Sequence, residues 1–319
     1  MELPAALRAA VDRALEGVPL AELQRAADTL SSRYRAEVRD GRLHLSDDMF
    51  ARAYLATRLP ATFAAVRASL ESAAELMADF APKSLLDVGA GPGTVLWAAA
   101  DCWPSLASAR MLEASASIRK VGEALSAHAG LDSVEWTAAD ASKAIEAGKA
   151  DLVTLAYVLD ELSPAEGLAL VEQLWAVTEG LLVIVEPGTP AGWKRMMAVR
   201  ERLVEHGAHL VAPCPHSSAC PLAEPDWCHF SRRVARSRLH RLTKRGDVPW
   251  EDEKYIFVAA ARQPAETFDA RVLAPARGGS GKVELKLCLS DGTARERLLT
   301  KRDGEQFKRA RRADWGDIL

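Results

Sequence analysis

A doubly wound α/β domain is predicted over residues 83–262. Two observations predict it. Short apolar runs alternate with helix-patterned stretches from residue 83 onward, and the first run, "SLLDVGAG", enters a glycine turn. Parallel strands covered on both faces are apolar throughout, whereas the helices that connect them show a three- to four-residue period.

Taken in order, residues 1–80 read as a helical region, rich in Ala, Leu, Arg and Glu. A polar turn is expected at Asp40-Gly41, and Ser46 is a natural N-cap for a helix beginning near Asp47. "SLLDV", "ARMLEAS" and "SVEWTAAD" are predicted as the first three strands. "ADLVTLAYVL" and "GLLVIVEPG" follow as unbroken apolar runs, the signature of central strands. "AGWKRMMAVRERLVEHGA" predicts a helix ending at Gly207. "HLVAP" is a short sixth strand and "EKYIFVAAARQ" an antiparallel last one, so the domain spans 81–263 with an insertion at 212–253. Beyond Pro264, "KVELKLCLSDGTARERLLTKRDGEQF" alternates like β-structure around an Asp291-Gly292 hairpin turn. It predicts a small, OB-like β module over 264–319.

The net charge of −3 conceals an asymmetry. Residues 1–190 hold 16 basic against 27 acidic side chains, and residues 191–319 hold 25 against 17. A basic second part suits a polyanionic partner. No apolar run approaches the roughly 20 residues that span a bilayer. The N-terminal stretch lacks the basic and apolar pattern of a secretory signal, so no membrane partner is expected and the cytoplasm is the expected compartment. There, clustered thiols more often bind metal than form disulfides.

"LLDVGAGPGT" places Asp87, Gly89, Gly91 and Gly93 where the first strand turns into its helix. Glycines there let backbone N–H groups approach a ligand that a Cβ would block. Glu113 closes the second strand, where a carboxylate can accept hydrogen bonds from both hydroxyls of a ribose. Asp140, after the third strand, can reach an adenine amino group. Asp87 and "GAGPGT" resemble motif I of the class I S-adenosylmethionine-dependent methyltransferases over residues 83–262. Many amino-group methyltransferases carry an Asn/Asp-Pro-Pro-aromatic motif after the fourth strand; here that place reads "AYVLDELSP". Asp160 or Glu161 could act as a base or simply precede the next helix, so no catalytic residue is assigned.

Cys214, Cys220 and Cys228 cluster at spacing C-x5-C-x7-C. Zinc loops usually pair cysteines at closer spacing, C-x2-4-C. Wider spacings with Cys-Pro steps lean towards an iron–sulfur core, with zinc as the alternative. Cys288, His216 and His229 are candidates for a fourth ligand, while Cys102 reads as a buried small hydrophobe. "FSRRVARSRLHRLTKRG" then offers a dense run of arginine and lysine with no acid. It reads as a basic helix able to track phosphates, with Arg232, Arg233, Arg236 and Arg238 as the expected nucleic-acid contacts, which the resemblance given next makes RNA contacts.

"PCPHSSACPLAEPDWCHF", the "DEL" after the fourth strand, "EKYIFVAAAR" and "KLCLSDG" together resemble the methyltransferase-like small-ribosomal-subunit proteins of mitochondria and their bacterial relatives, over residues 30–319. That resemblance implies a [4Fe–4S] cluster on Cys214, Cys220, Cys228 and Cys288. It also implies bound S-adenosylmethionine and work on the small ribosomal subunit and its rRNA, either as an rRNA methyltransferase or as an assembly factor that keeps the methyltransferase fold. The chain is expected to act as a monomer. Two other readings stay open at this point. One is a non-catalytic RNA-binding assembly factor. The other is a methyltransferase for a small molecule or protein, with structural zinc.

Overall fold

The computed structural model of the chain describes residues 1–35 and 47–319, so the expected turn at Asp40-Gly41 and the expected Ser46 cap lie outside the described residues. The N-terminal part holds α1 (Ala5–Leu15), α2 (Leu20–Arg35), α3 (Asp48–Thr57) and α4 (Leu59–Ala74). Asp47 caps α3: its Oδ1 accepts the backbone N–H groups of Met49 and Phe50, both at 2.9 Å. Two of the helix's four orphan donors are satisfied in this way. Leu7, Leu23, Leu30, Leu55 and Leu59 are buried on these helices and belong to one core with the sheet that follows.

The α/β part runs β1 (Ser84–Val88), α5 (Thr94–Cys102), β2 (Ser108–Leu112), α6 (Ala116–Ser126), β3 (Ser133–Thr137), β4 (Ala150–Ala156), α7 (Pro164–Val177), β5 (Thr178–Pro187) and α8 (Pro190–Glu205). It continues through β6 (His209–Ala212), β7 (Phe230–Ala235), α9 (Arg238–Lys244) and β8 (Trp250–Ala261). Strand order is β3-β2-β1-β4-β5-β8-β6, with β7 pairing the first half of β8. Strands β1 to β5 are parallel, and β8 runs antiparallel to both β5 and β6. This is the class I methyltransferase arrangement that motif I implied. Leu152, Val153, Leu155, Leu181 and Leu182 are fully buried, and each such side chain contributes roughly 1.5–3 kcal/mol through burial. Helix α7 starts at Pro164 because Ser163 and Glu166 form a reciprocal capping box.

The order of the sheet reverses at β1, whose neighbours are β2 on one side and β4 on the other. Ligands of such sheets bind in the crevice outside the carboxyl ends of the strands at this switch point. Helix α4 packs on α5, and α3 packs on α6 and α9, so the N-terminal helices flank this end of the sheet.

The basic run departs from the expected single helix. Residues 230–235 form β7, and only 238–244 are helical. The cause lies on the partner strand. β8 presents Glu253 opposite Arg232 and Asp252 opposite Arg233, and such opposed charges stabilise an antiparallel ladder. Phe230 and Val234 point inward on either side of the arginines, and Ser237 accepts the His240 N–H to start α9 afresh.

After β8 come β9 (Ala270–Val272), β10 (Arg277–Gly279), β11 (Lys282–Leu289), β12 (Ala294–Thr300) and α10 (Gly304–Ala310). The second sheet has β11 between β10 and β12, with β9 also pairing β11. Val283, Leu285 and Leu287 alternate inward and meet Phe307 and Ala310 of α10 in a small separate core. Asp291 Oδ1 accepts the Thr293 N–H, and Gly292 takes φ +84° in the hairpin turn. No helix of the described residues is long and apolar enough to cross a membrane.

Candidate functional site

Asp87 is fully buried at the end of β1, in register with Thr154 of β4. Thr154 Oγ1 donates to Asp87 Oδ1 at 2.7 Å, and Oδ2 has no partner among the described residues. Burial raises its pKa to about 7; the Thr154 bond works against the rise and the nearby Glu113 charge adds to it. Gly89, Gly91 and Gly93 all have φ between +54° and +80°, the left-handed region that glycine enters without strain. A Cβ on Gly89 would lie 2.3 Å from Val158 Cγ2, whereas one on Gly91 would project into open space.

Glu113 faces this turn from the end of β2. Its carboxylate accepts the N–H groups of Gly91 and Ser115, both at 2.8 Å. Burial raises its pKa, and those two bonds work against the rise. Asp140 lies beyond the end of β3, is exposed on its side chain, and turns back to Ser142 and Lys143. The structure thus brings Asp87, the three glycines and Glu113 together, whereas Asp140 lies beyond the end of β3, two strands from β1.

The segment after β4 carries Tyr157 at φ +58°, a strained conformation for a bulky residue. Its hydroxyl donates to Glu253 Oε1 at 3.1 Å, and Arg58 Nη2 donates to the same oxygen at 3.3 Å. The junction of α3 and α4 is thereby tied to β8 across this loop. Asp160 is buried, and burial together with the Asp160 charge raises Glu161 to about 8. Glu186, buried at the end of β5, accepts the Leu159 N–H and the Arg195 Nε–H, and burial pushes it up to about 8.

Cys214, Cys220, Cys228 and Cys288 line one largely apolar cavity with His216, Met197, Phe257 and Arg271. The second sheet delivers Cys288: Arg271, its cross-strand neighbour, donates to Pro213 O at 3.0 Å and to Gly316 O at 2.7 Å. Lys286 pairs with Asp226 of the cysteine loop, and the Gly292 turn packs on Ser218. Arg200, also buried, donates to the carbonyls of His216 and Ser218. All five cysteines are free thiols. Burial raises Cys228, Cys220 and Cys288, the last to about 12, so these thiols stay protonated without a metal. Cys288 Sγ lies 3.4 Å from His216 Nε2. Among the described residues no three His, Cys, Asp or Glu side chains already stand close enough to hold a metal ion. His229 lies apart, stacked on Trp227 and edge-on to Trp315. Cys102 sits on α5, away from the cavity.

The cysteine loop leaves β6 at the same end of the sheet as the glycine turn. β6 is the edge strand, four positions from β1, but the loop runs back towards the middle of the sheet, where Trp227 Nε1 donates to Gly188 O, just beyond β5, at 3.1 Å.

The expected RNA-contact arginines do not form one row. Arg232 and Arg233 are exposed and point to opposite faces of β7. Arg236 is drawn onto Glu251 Oε2 at 3.0 Å, together with Lys244. Arg238 is exposed at the start of α9.

Residues 48–319 match the family model described as mitochondrial small ribosomal subunit Rsm22. The chain belongs to the Rsm22 family. Among its curated relatives, the human mitochondrial ribosome assembly protein METTL17 is 30% identical over 83% of this chain and 61% of its own length. Rsm22-cox11 tandem protein 2 of Schizosaccharomyces pombe, also mitochondrial, is 24% identical over 84% of this chain and 42% of its own. The chain therefore spans about three fifths or less of these relatives. Similar solved structures include an O-methyltransferase family protein from Burkholderia thailandensis, 16% identical over 77% of this chain and 72% of that chain, with TM-score 0.45. Magnesium protoporphyrin IX methyltransferase from Synechocystis, with bound SAH, is 14% identical over 76% of this chain and all of that chain, with TM-score 0.41. The fold assignment rests on the strand order rather than on these two.

Three features of this Rsm22-family chain escape sequence reasoning. Thr154 meets Asp87 only because β1 and β4 pair, 67 positions apart. Tyr157 and Arg58 converge on Glu253, and the three come from distant segments. Arg271, on a different strand from Cys288, carries no mark in the sequence of its place in the cysteine cavity.

Proposed function

We propose that the chain binds S-adenosylmethionine at the glycine turn, holds an iron–sulfur cluster on Cys214, Cys220, Cys228 and Cys288, and works on the small ribosomal subunit through its rRNA. The single observation behind the ribosomal part is the family match over residues 48–319. The experiment is gradient sedimentation of the purified chain with isolated ribosomal subunits. Co-migration with small but not large subunits is expected; equal migration with both, or with neither, refutes it. The setting is the compartment where small subunits form, the cytoplasm for a bacterial-type chain.

The residues present fit the cofactor. Asp87 Oδ2 is a buried acceptor without a donor among the described residues, and Glu113 lies beside it. S-adenosylmethionine supplies ribose hydroxyls for Glu113 and two cationic groups that offset these buried carboxylates. Gly91 leaves the space it needs, and Asp140 closes the adenine end. The four thiols and Arg271, whose Nη2 lacks a partner among the described residues, likewise fit an anionic thiolate-bound group. A resident cluster would supply structural cross-linking or electron transfer, and zinc would supply cross-linking alone.

A role in assembly without methyl transfer is favoured by the acceptor side of the cleft. In methyltransferases the residues after the fourth strand position the nucleophile, and here Tyr157 is occupied by Glu253 under the Arg58 contact.

The Asp87 shift sets a pH dependence. Below about 7 the carboxyl is protonated, and a cationic ligand must displace that proton. Affinity for S-adenosylmethionine should therefore fall about tenfold from roughly pH 8 to roughly pH 6. Asp87→Asn should flatten the profile, as read by calorimetry; an unaltered slope contradicts the role given to Asp87. Without ligand the sign reverses. The folded state holds this proton more tightly than the unfolded chain, so stability declines as pH rises from the ordinary carboxylate range towards 7.

A further inference from the structure

Three of the five exposed large hydrophobic residues among those described, Leu242, Val248 and Trp250, lie close together in sequence, at 45%, 46% and 46% exposure. They sit in the most basic part of the chain, on the unit formed by β7, α9 and the first half of β8, whose α9 packs on α2 and α3. A tryptophan at this exposure contributes little to the core and leaves a large apolar face in water.

Trp250 is held for contact. The Arg233 guanidinium lies 5.5 Å from its ring centroid and is itself fixed by two bonds to Asp252, at 2.9 and 3.1 Å. Trp250 pairs with Ala235 across the ribbon, so a small side chain flanks the indole on the strand beside it. Beneath the ribbon, Glu251 Oε2 gathers Arg236 and Lys244, which anchors α9 to β8. Arg238 and Leu242 share the outward face of α9 at helical spacing, while His240 and Thr243 are buried on the other; Arg245, the left-handed C-cap, pairs with Asp28 of α2. Arg238 makes no ion pair among the described residues, and Lys254 stands exposed on the same face of β8 as Trp250.

We propose that the exposed side of this unit is a platform for unpaired RNA, with one base stacking on Trp250 and the flanking phosphates taken by Arg238 and Lys254. An exposed planar ring amid cations matches a chain of stacked bases and phosphates, and base–aromatic stacking tolerates any sequence. Paired RNA hides its base faces and offers nothing to the indole. A membrane surface would call for a continuous apolar face, whereas these three apolar residues alternate with charges. The proposal rests on the RNA reading given above and adds the chemical form of the RNA and the residue that recognises it.

The test is fluorescence anisotropy with a short labelled single-stranded RNA, its duplex form and anionic phosphatidylserine vesicles. Trp250→Ala should weaken single-strand binding on the order of 10- to 100-fold, the cost of one lost stack. Its log–log salt slope should stay unchanged, because no phosphate contact is removed. Trp250→Phe should retain most of the affinity, and duplex binding should be weak throughout. Arg238→Ala should instead lower the slope by about 0.7, the share of one phosphate on a single strand. Parent-like affinity in Trp250→Ala overturns the platform and leaves the wider RNA reading intact. Tighter binding to vesicles than to RNA, lost with Trp250, reassigns the patch to a lipid surface. Absence of any RNA binding by the parent overturns platform and RNA reading together, and small-subunit sedimentation still reads the ribosomal association separately.

Discussion

Replacing Cys288 with serine is expected to strip or destabilise the metal group and loosen the C-terminal module. Cys288 reaches the cavity from β11, whereas Cys214, Cys220 and Cys228 come from the loop after β6. Neither piece carries all four proposed ligands, so a bound metal group would contribute folding energy to both. Serine is nearly isosteric, and the Arg271, Lys286–Asp226 and Gly292–Ser218 contacts remain. The substituted chain should therefore fold while losing iron, visible charge-transfer absorbance and resistance of the 264–319 region to protease. Cys102→Ser, outside the cavity, should do none of this. Full iron in Cys288→Ser, with loss in His216→Ala, would transfer the fourth ligand to His216, whose Nε2 is 3.4 Å from the Cys288 sulfur.

The second large effect is expected at Gly91. Its φ of +54° costs a β-branched residue roughly 1–2 kcal/mol in backbone strain. A Cβ there meets no protein atom within 4 Å, so the fold should tolerate it. The open space is the space a ligand would fill. Gly91→Val should lower S-adenosylmethionine affinity beyond calorimetric detection with only a modest fall in Tm, and Gly91→Ala should be intermediate. Glu113→Ala should cost about 1–3 kcal/mol through lost charge-assisted bonds to the ribose. Part of that loss reflects the turn itself, since Glu113 also holds the Gly91 and Ser115 N–H groups. Parent-like affinity in both Gly91→Val and Glu113→Ala would place the cofactor elsewhere or nowhere.

The parts of this molecule that are legible in its sequence are those whose causes are local. The glycine turn, the apolar β4 and β5 runs and the Asp291-Gly292 hairpin each carry their reason in their immediate neighbours. Cys288 is one of three candidates for a fourth ligand in the sequence, and only the family resemblance singles it out, since β7, α9, β8 and two further strands intervene. The basic run reads as a helix because periodicity and charge inside 230–246 suit one. The acids of β8 that make 230–235 a strand lie outside that window. Thr154, Tyr157 and Arg58 acquire their meaning only through strand pairing and helix docking, which no local pattern records.

The most direct test of a second, metal-bearing centre on this methyltransferase fold is the metal content and visible spectrum of the parent chain purified without oxygen. About four irons per chain, with broad absorbance that bleaches on chelation or exposure to air, is the expected result. One zinc and no iron, with a featureless visible spectrum, would contradict the cluster and leave only a cross-linking clamp.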